Sequence, residues 1–147
     1  MLEIVVKEFS ELNTIELYGL LQLRSQIFVV EQNCVYQDLD GKDIKALHVV
    51  GFKKEKVVAY TRIFKPGDYF DHASIGRVTV AADQRSYGYG KDIMKASIAA
   101  VQNNFNTAQI KISAQTYLLK FYEELGFKSI GDTYLEDGIP HIAMVKN

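Results

Sequence analysis

The chain has 147 residues, 48% of them hydrophobic, which is enough for one domain with a core, yet no apolar run nears the roughly 20 residues that span a bilayer. Its 17 Lys and Arg against 18 Asp and Glu give a formal net charge of −1, so no global field points to a nucleic-acid partner. The single cysteine, Cys34, excludes an intramolecular disulfide, and Met1-Leu-Glu-Ile-Val-Val-Lys7 is too short and too acidic for a signal peptide; one cytoplasmic domain over residues 1–147 is expected.

Residues 2–7 read as a strand. Asn13, with Glu16 three positions on, matches a capping box for a helix from Thr14 to about Val30. At helical spacing Leu17, Leu20, Leu21, Leu23, Ile27 and Phe28 form an apolar face, with Arg24 near its middle and Glu31 seven residues later on the same stripe. A charge there needs a partner. Arg24 either pairs with a carboxylate elsewhere, the commoner arrangement, or lines a cleft beside substrate. Glu31, at a helix end, suits a structural or a site role equally.

Residues 32–45 are irregular. Asp38, Asp40 and Asp43 invite comparison with a calcium loop, but Leu47 stands where the closing Glu ligand belongs, so a solvated acidic loop is expected, able to attract a cationic acceptor. No set of His, Cys and carboxylates has metal-site spacing, and no metal is expected. Strands follow at 46–52 and 57–64 around the turn Lys53–Lys56, and His48 in the first reads as a hydrogen-bonded core residue.

After a loop at 65–73, Ile75-Gly-Arg-Val-Thr-Val80 reads as a strand in which Val78 and Val80 alternate with Arg77 and Thr79. It turns through a segment holding Arg85, Gly88 and Gly90 into a helix carrying Met94, Ile98 and Val101 at helical spacing. A helix start leaves N–H groups unpaired and partly positive, and glycines let a phosphate reach them. Arg85 and Lys91 add charge. The same glycines would equally serve only to set turn angles, and spacing alone leaves both readings open. A P-loop is excluded, since Arg85 replaces its first Gly and Asp92 follows Lys91; Ile93 breaks a dinucleotide fingerprint.

A strand at Thr107–Ala114, a helix at Tyr117–Leu125 closed by Gly126, and strands at 128–134 and 141–146 around Glu136-Asp-Gly138 complete the chain. The order β-α-β-β-β-α-β-α-β-β is α/β with a mixed sheet. An exposed edge strand near the C-terminus would allow a homodimer.

Arg85-x-x-Gly88-x-Gly90, set between strand and helix, resembles the acyl-CoA pyrophosphate loop of the GNAT acetyltransferase superfamily. Phe121-Tyr-Glu-Glu-Leu-Gly-Phe127 is similar to a second segment of that family, and the element order matches it across the chain. Phe28–Gly41 and Glu136–His141 resemble the ElaA-like subgroup, whose acceptors are poorly defined. The resemblance implies a GNAT acyl-CoA N-acyltransferase fold: a mixed, mostly antiparallel sheet flanked by helices, with splayed central parallel strands. It implies an acetyl-CoA-dependent N-acetyltransferase acting on the amine of a small molecule or protein, with no nucleic acid or membrane partner.

On this pattern the backbone of Val78, Thr79 and Val80 pairs with the pantetheine arm, and the Val80 N–H polarises the thioester carbonyl. The N–H groups of Arg85, Ser86, Tyr87, Gly88, Tyr89 and Gly90 hold the pyrophosphate, with Lys91 beside them. The thioester enters a gap near Ser113, and Tyr122 protonates the leaving thiolate. Glu31, His141 and His48 are the candidate bases. Glu31 leads because its helix end faces the acceptor cleft in this fold; imidazole as a class titrates near neutrality. Attack is direct, although Cys34 keeps an acyl-cysteine route open. Two other readings stand beside this one. Arg24 and Phe28 have a spacing similar to that in acyl-homoserine-lactone synthases, but the chain lacks their tryptophan. The domain would also suit a non-catalytic acyl-CoA sensor.

Overall fold

The computed structural model describes residues 2–147. Its strands are β1 (Glu3–Glu8), β2 (Leu47–Lys53), β3 (Lys56–Phe64), β4 (Ala73–Val80), β5 (Ile110–Gln115), β6 (Lys128–Glu136) and β7 (Ile139–Lys146). They form one seven-stranded sheet in the order β1-β2-β3-β4-β5-β7-β6. Every neighbouring pair is antiparallel except β4 and β5, which are joined through a crossover helix, as a parallel pair requires. The α/β architecture with splayed parallel strands is therefore as the sequence predicts.

Helix α2 (Tyr89–Phe105) lays Ile93, Met94 and Val101 on one sheet face, against Ile63, Ala73, Ile75 and Ile112. Short helix α3 (Leu119–Glu124) adds Tyr122 to the same core, with Phe127 just beyond it. It follows a 3₁₀ turn at Thr116–Leu118, so the regular helix is shorter than its apolar pattern suggests. Strand β5 likewise starts at Ile110 rather than Thr107, because Thr107 turns its hydroxyl to the Gln109 N–H. On the opposite face α1 (Thr14–Arg24) packs Leu20 and Leu23 with Val50 and Tyr60. It packs mainly on β3 and the margin of β4, toward one half of that face.

The capping box at Asn13 and Glu16 forms as the sequence predicts. The far end of the helix does not stay α-helical. Ser25–Glu31 is a π-helical continuation, and Gln32 N–H reaches back to the Ile27 carbonyl and Cys34 N–H to that of Val29, five residues each. A wider turn carries Glu31 off the stripe that holds Arg24. Arg24 is wholly buried, whereas Glu31 stands in the open.

The acidic segment departs most from expectation. Asp38 and Asp43 are buried instead of meeting solvent, and with the more exposed Asp40 they neutralise three arginines. Arg24 donates to Asp38 Oδ2 (2.9 Å) and Asp43 Oδ1 (2.7 Å); Arg62 donates to Asp40 Oδ2 (2.6 Å) and Asp43 Oδ1 (3.0 Å); Arg77 donates to Asp38 Oδ1 (2.8 Å). Burial alone would raise the carboxyls of Asp40 and Asp43. The hydrogen bonds from Arg62 and Arg24 outweigh it and hold both below the ordinary range. The loop is thereby pinned to α1, β3 and β4 at once, and it offers an amine no free carboxylate from these three.

Candidate active site

Strands β4 and β5 pair only at Ala73–Ile110 and Ser74–Lys111 and then diverge. The gap opens into a cavity of about 540 Å³ with Ile75, Gly76 and Val78 on one wall and Ile112 and Ser113 on the other. Regular alternation fails at Arg77. Gly76 faces Arg62 and Thr79 faces Tyr60, so β4 carries one residue more than β3 across the same span, a β-bulge. Arg77 takes φ +51°, an uncommon value for a non-glycine residue, and its ion pair with Asp38 holds it there. The bulge re-aims Val78, Thr79 and Val80: Val78 and Val80 line the cavity half-buried, and Thr79 tucks its hydroxyl against the Tyr60 carbonyl (3.3 Å).

Beyond β4 the chain enters the 85–90 loop. Among the described residues, no backbone N–H from Arg85 to Lys91 donates to an acceptor of the chain; the ladder of α2 begins with Asp92 N–H to the Gly88 carbonyl (3.1 Å). Ser86 (φ +81°) and Gly88 (φ +78°) turn the backbone so that these donors precede and cap the helix. A run of free N–H groups at the positive end of a 17-residue helix is an arrangement able to accept an anion. Gly90 packs against the Phe121 ring, where a Cβ would make ordinary contact with two ring atoms at 3.5 Å. Two nearby cations are engaged with carboxylates, Arg85 with Glu31 (2.9 and 3.0 Å; also with the Val80 carbonyl, 3.2 Å) and Lys91 with Glu124 (3.2 Å), while Lys53 lies over the Tyr87 and Tyr89 rings (4.7 and 5.6 Å).

Tyr122 lines the gap at 5% exposure. Its ring meets Phe121 and Phe127 edge-on, at 5.2 and 6.0 Å between centroids. Its hydroxyl has no hydrogen-bond partner among the described residues. Burial, and secondarily Tyr117, push the phenol well above its ordinary value, so it holds its proton.

Across the gap, His141 on β7 lies opposite Gln115 and Tyr134. Its Nδ1 is 2.6 Å from the Ile139 carbonyl and therefore carries a hydrogen, so in the neutral ring the lone pair is on Nε2. Nε2 lies 3.4 Å from Glu136 Oε2. Glu136 Oε1 is 3.4 Å from Ser113 Oγ, which also pairs with the Tyr134 hydroxyl. Sequence reasoning missed Glu136 and Tyr134 as site residues. The turn at Asp137–Gly138 is legible, but which strand faces meet depends on a register shift between Ile130 and Tyr134 that no local pattern announces.

Glu31 and Cys34 also line the cavity, and Cys34 Sγ lies 3.3 Å from the Asp137 carbonyl. His48 does not line it. It is fully buried, with Nδ1 2.6 Å from the Tyr60 hydroxyl and Nε2 2.9 Å from the Asp43 carbonyl. Among the described residues no group of three His, Cys, Asp or Glu side chains is placed to hold a metal.

A family model described as an acetyltransferase (GNAT) domain matches residues 17–147. Protein ElaA of Escherichia coli (strain K12) is 41% identical over 139 residues, covering 93% of this chain and 91% of its own length. The crystal structure of Escherichia coli ElaA matches over the whole of both chains with a TM-score of 0.93 at 39% identity. An acyl-CoA N-acyltransferase from Pseudomonas aeruginosa does the same, with a TM-score of 0.93 at 35% identity. The AHL synthase LasI shares the fold, with a TM-score of 0.75 at 14% identity over 99% of this chain and 89% of its own.

Proposed function

The chain belongs to the GNAT acetyltransferase family, with ElaA among its relatives, and we propose that it is an acetyl-CoA-dependent N-acetyltransferase working by direct attack of an amine on the thioester. The observation that carries the reading is the continuity of one cavity. It runs from the free N–H groups of the 85–90 loop, along the bulged edge of β4, to the gap lined by Tyr122 of α3 and His141 of β7. Such a path suits a phosphate-bearing donor with an extended arm.

In this reading the loop N–H groups take the pyrophosphate. The unpaired edge of Val78, Thr79 and Val80 takes the pantetheine as a strand would, with the Val80 N–H at the thioester carbonyl. Acetyl-CoA supplies the activated acyl group. His141 Nε2 removes a proton from the acceptor ammonium; its Nδ1 hydrogen bond fixes the tautomer that can do so. The amine nitrogen forms a bond to the carbonyl carbon as the carbon–sulfur bond breaks. Tyr122, kept protonated by burial, donates to the departing thiolate, and the second proton shed by the nitrogen balances it, so one proton is released overall. His141 is favoured over Glu31 as base because both Glu31 oxygens are taken by Arg85.

The likeness to the lactone synthase is one of fold. Of the two residues that suggested it, Phe28 lines the cavity, whereas Arg24 is sunk in the ionic cluster and does not. Strand β6 is a free edge with all nine residues exposed, the face along which a homodimer would pair. Release of CoA thiol from acetyl-CoA in the presence of primary amines, lost in Tyr122→Phe, tests the proposal; acetyl-CoA binding without turnover of any amine would favour the sensor reading.

A further inference from the structure

On the sheet face that carries α1, cross-strand pairing gathers two chemically different ends of one cavity. Arg62 pairs with Gly76, Phe64 with Ser74, Ser74 with Lys111, and His141 with Gln115 and Tyr134, so these positions point the same way. At one end lie Ser113, His141 and Glu136. At the other, Phe64 stacks on Tyr69 (5.2 Å, 13°), and Tyr69 meets Phe70 edge-on at 4.7 Å. Between them Ser74 and Gly76 are small, and a Cβ placed on Gly76 would meet nothing within 4 Å. Both ends line the cavity.

The carboxylates of that cavity are Glu31, Glu136 and Asp137. Glu31 is matched by Arg85. Among the described residues Glu136 and Asp137 have no Lys or Arg partner, and Glu136 is the one beside His141. Its contacts to His141 and Ser113, 3.4 Å each, are longer than the 2.7–2.9 Å of a charge-assisted hydrogen bond. Glu136 therefore keeps acceptor capacity for a donor that approaches from the cavity side. A carboxylate held only by long contacts to His141 and Ser113 at one end, and at the other an aromatic cluster with Arg62, Lys42 and Lys111 over its rings (5.1, 5.6 and 5.0 Å to the centroids), suit a ligand with a positive head and a flat apolar body.

We propose that this half of the cavity is the acceptor subsite for a primary arylalkylammonium ion. Glu136 holds the ammonium beside His141 Nε2, and the ring lies over Ser74 and Gly76 against Phe64, Tyr69 and Phe70. The proposal rests on the acyl-transfer reading above and gives it a substrate class. Glu136 binds and positions; the proton goes to His141.

CoA release is measured with 2-phenylethylamine, n-butylamine and 2-phenylethanol as acceptors, in wild type, Glu136→Gln, Glu136→Asp and Phe70→Ala, with the acetyl-CoA thermal shift of each recorded alongside. Wild type should acetylate 2-phenylethylamine with a KM about tenfold or more below that of n-butylamine and should not use the alcohol. Glu136→Gln should raise the KM for 2-phenylethylamine about tenfold with kcat little changed, and Glu136→Asp should recover part of the loss. Phe70→Ala should erase the advantage over n-butylamine. The acetyl-CoA shift should be the same in all four proteins. A normal acetyl-CoA shift without 2-phenylethylamine turnover, equal use of n-butylamine, or an unchanged KM in Glu136→Gln overturns the proposal and leaves acyl transfer standing. No acetyl-CoA shift in wild type overturns both.

Discussion

Glu31 and Arg85 face each other across the cavity, Glu31 Oε2 2.9 Å from Arg85 Nη1 and Oε1 3.0 Å from Nη2. The pair ties the π-helical end of α1 to the loop of free N–H groups, 54 residues away in sequence. Both side chains are more than a third exposed (37% and 45%), so the pair contributes on the order of 0–1 kcal/mol to stability. Its consequence is chemical: it occupies the carboxylate that sequence reasoning puts first as base. Glu31→Gln should lower kcat by less than about threefold, whereas His141→Gln should lower it by about 100-fold or more. Steady-state kinetics of CoA release with a fixed amine separate the two.

Tyr122 is held protonated in a dry aromatic pocket, with its hydroxyl uncommitted. Tyr122→Phe keeps the packing and removes the donor. It should lower kcat by about 100-fold, leaving the acetyl-CoA thermal shift and the melting temperature near wild type. An equal loss in acetyl-CoA affinity would assign the residue to binding instead.

The cluster of three arginines and three aspartates, with Arg24, Arg62, Asp38 and Asp43 buried at its centre, governs stability more than chemistry. Asp43 serves both Arg24 and Arg62, so Asp43→Ala should cost about 3–5 kcal/mol in urea denaturation by leaving buried guanidinium charge unmatched. Asp40 and Asp43 have lowered carboxyl pKa values in the folded chain. Their stabilisation is therefore complete above the ordinary value of 3.8 and is lost progressively as pH falls below it. Asp43→Asn should flatten that acid limb.

His48 adds a second pH dependence of different origin. Burial lowers its imidazole pKa below the ordinary 6.5, and its neutral form is already satisfied by Tyr60 and the Asp43 carbonyl. As pH falls through 6.5 the unfolded chain takes up a proton that the folded chain refuses, so stability should decline from there toward lower pH. Urea midpoints from pH 7.5 to about 5 should show the slope, and His48→Gln should remove it.

Much of this was legible before any coordinates. The capping box at Asn13, the apolar faces of α1 and α2, and the Gly126 turn (φ +96°) are written in local residue choice. So is the turn of the 85–90 loop into α2, because its glycines and polar residues are neighbours in the chain. What escaped was non-local. Arg77 reads as an alternating strand residue, but a carboxylate 39 positions away holds it in a bulge. Asp38 and Asp43 read as solvated because their charge is local information, whereas their guanidinium partners are brought in by the fold. Glu31 reads as sharing a stripe with Arg24 only if the helix keeps its α period, and the π turn breaks that assumption. Glu136 becomes a site residue only once β6 pairs with β7 in a shifted register.

The most direct test of the central claim is the melting temperature of the purified protein with and without acetyl-CoA, in wild type and in Gly88→Trp. A ligand bound only to the folded state stabilises by about 2.7 kcal/mol at a hundredfold excess over its Kd, which corresponds to about 5–10 °C for a chain of this size. Wild type should show that rise. Gly88→Trp should not, since Gly88 holds φ +78° at the helix start where a bulky side chain is both strained and in the path of the phosphates. A well-folded wild type that melts at the same temperature with saturating acetyl-CoA as without it would contradict the account.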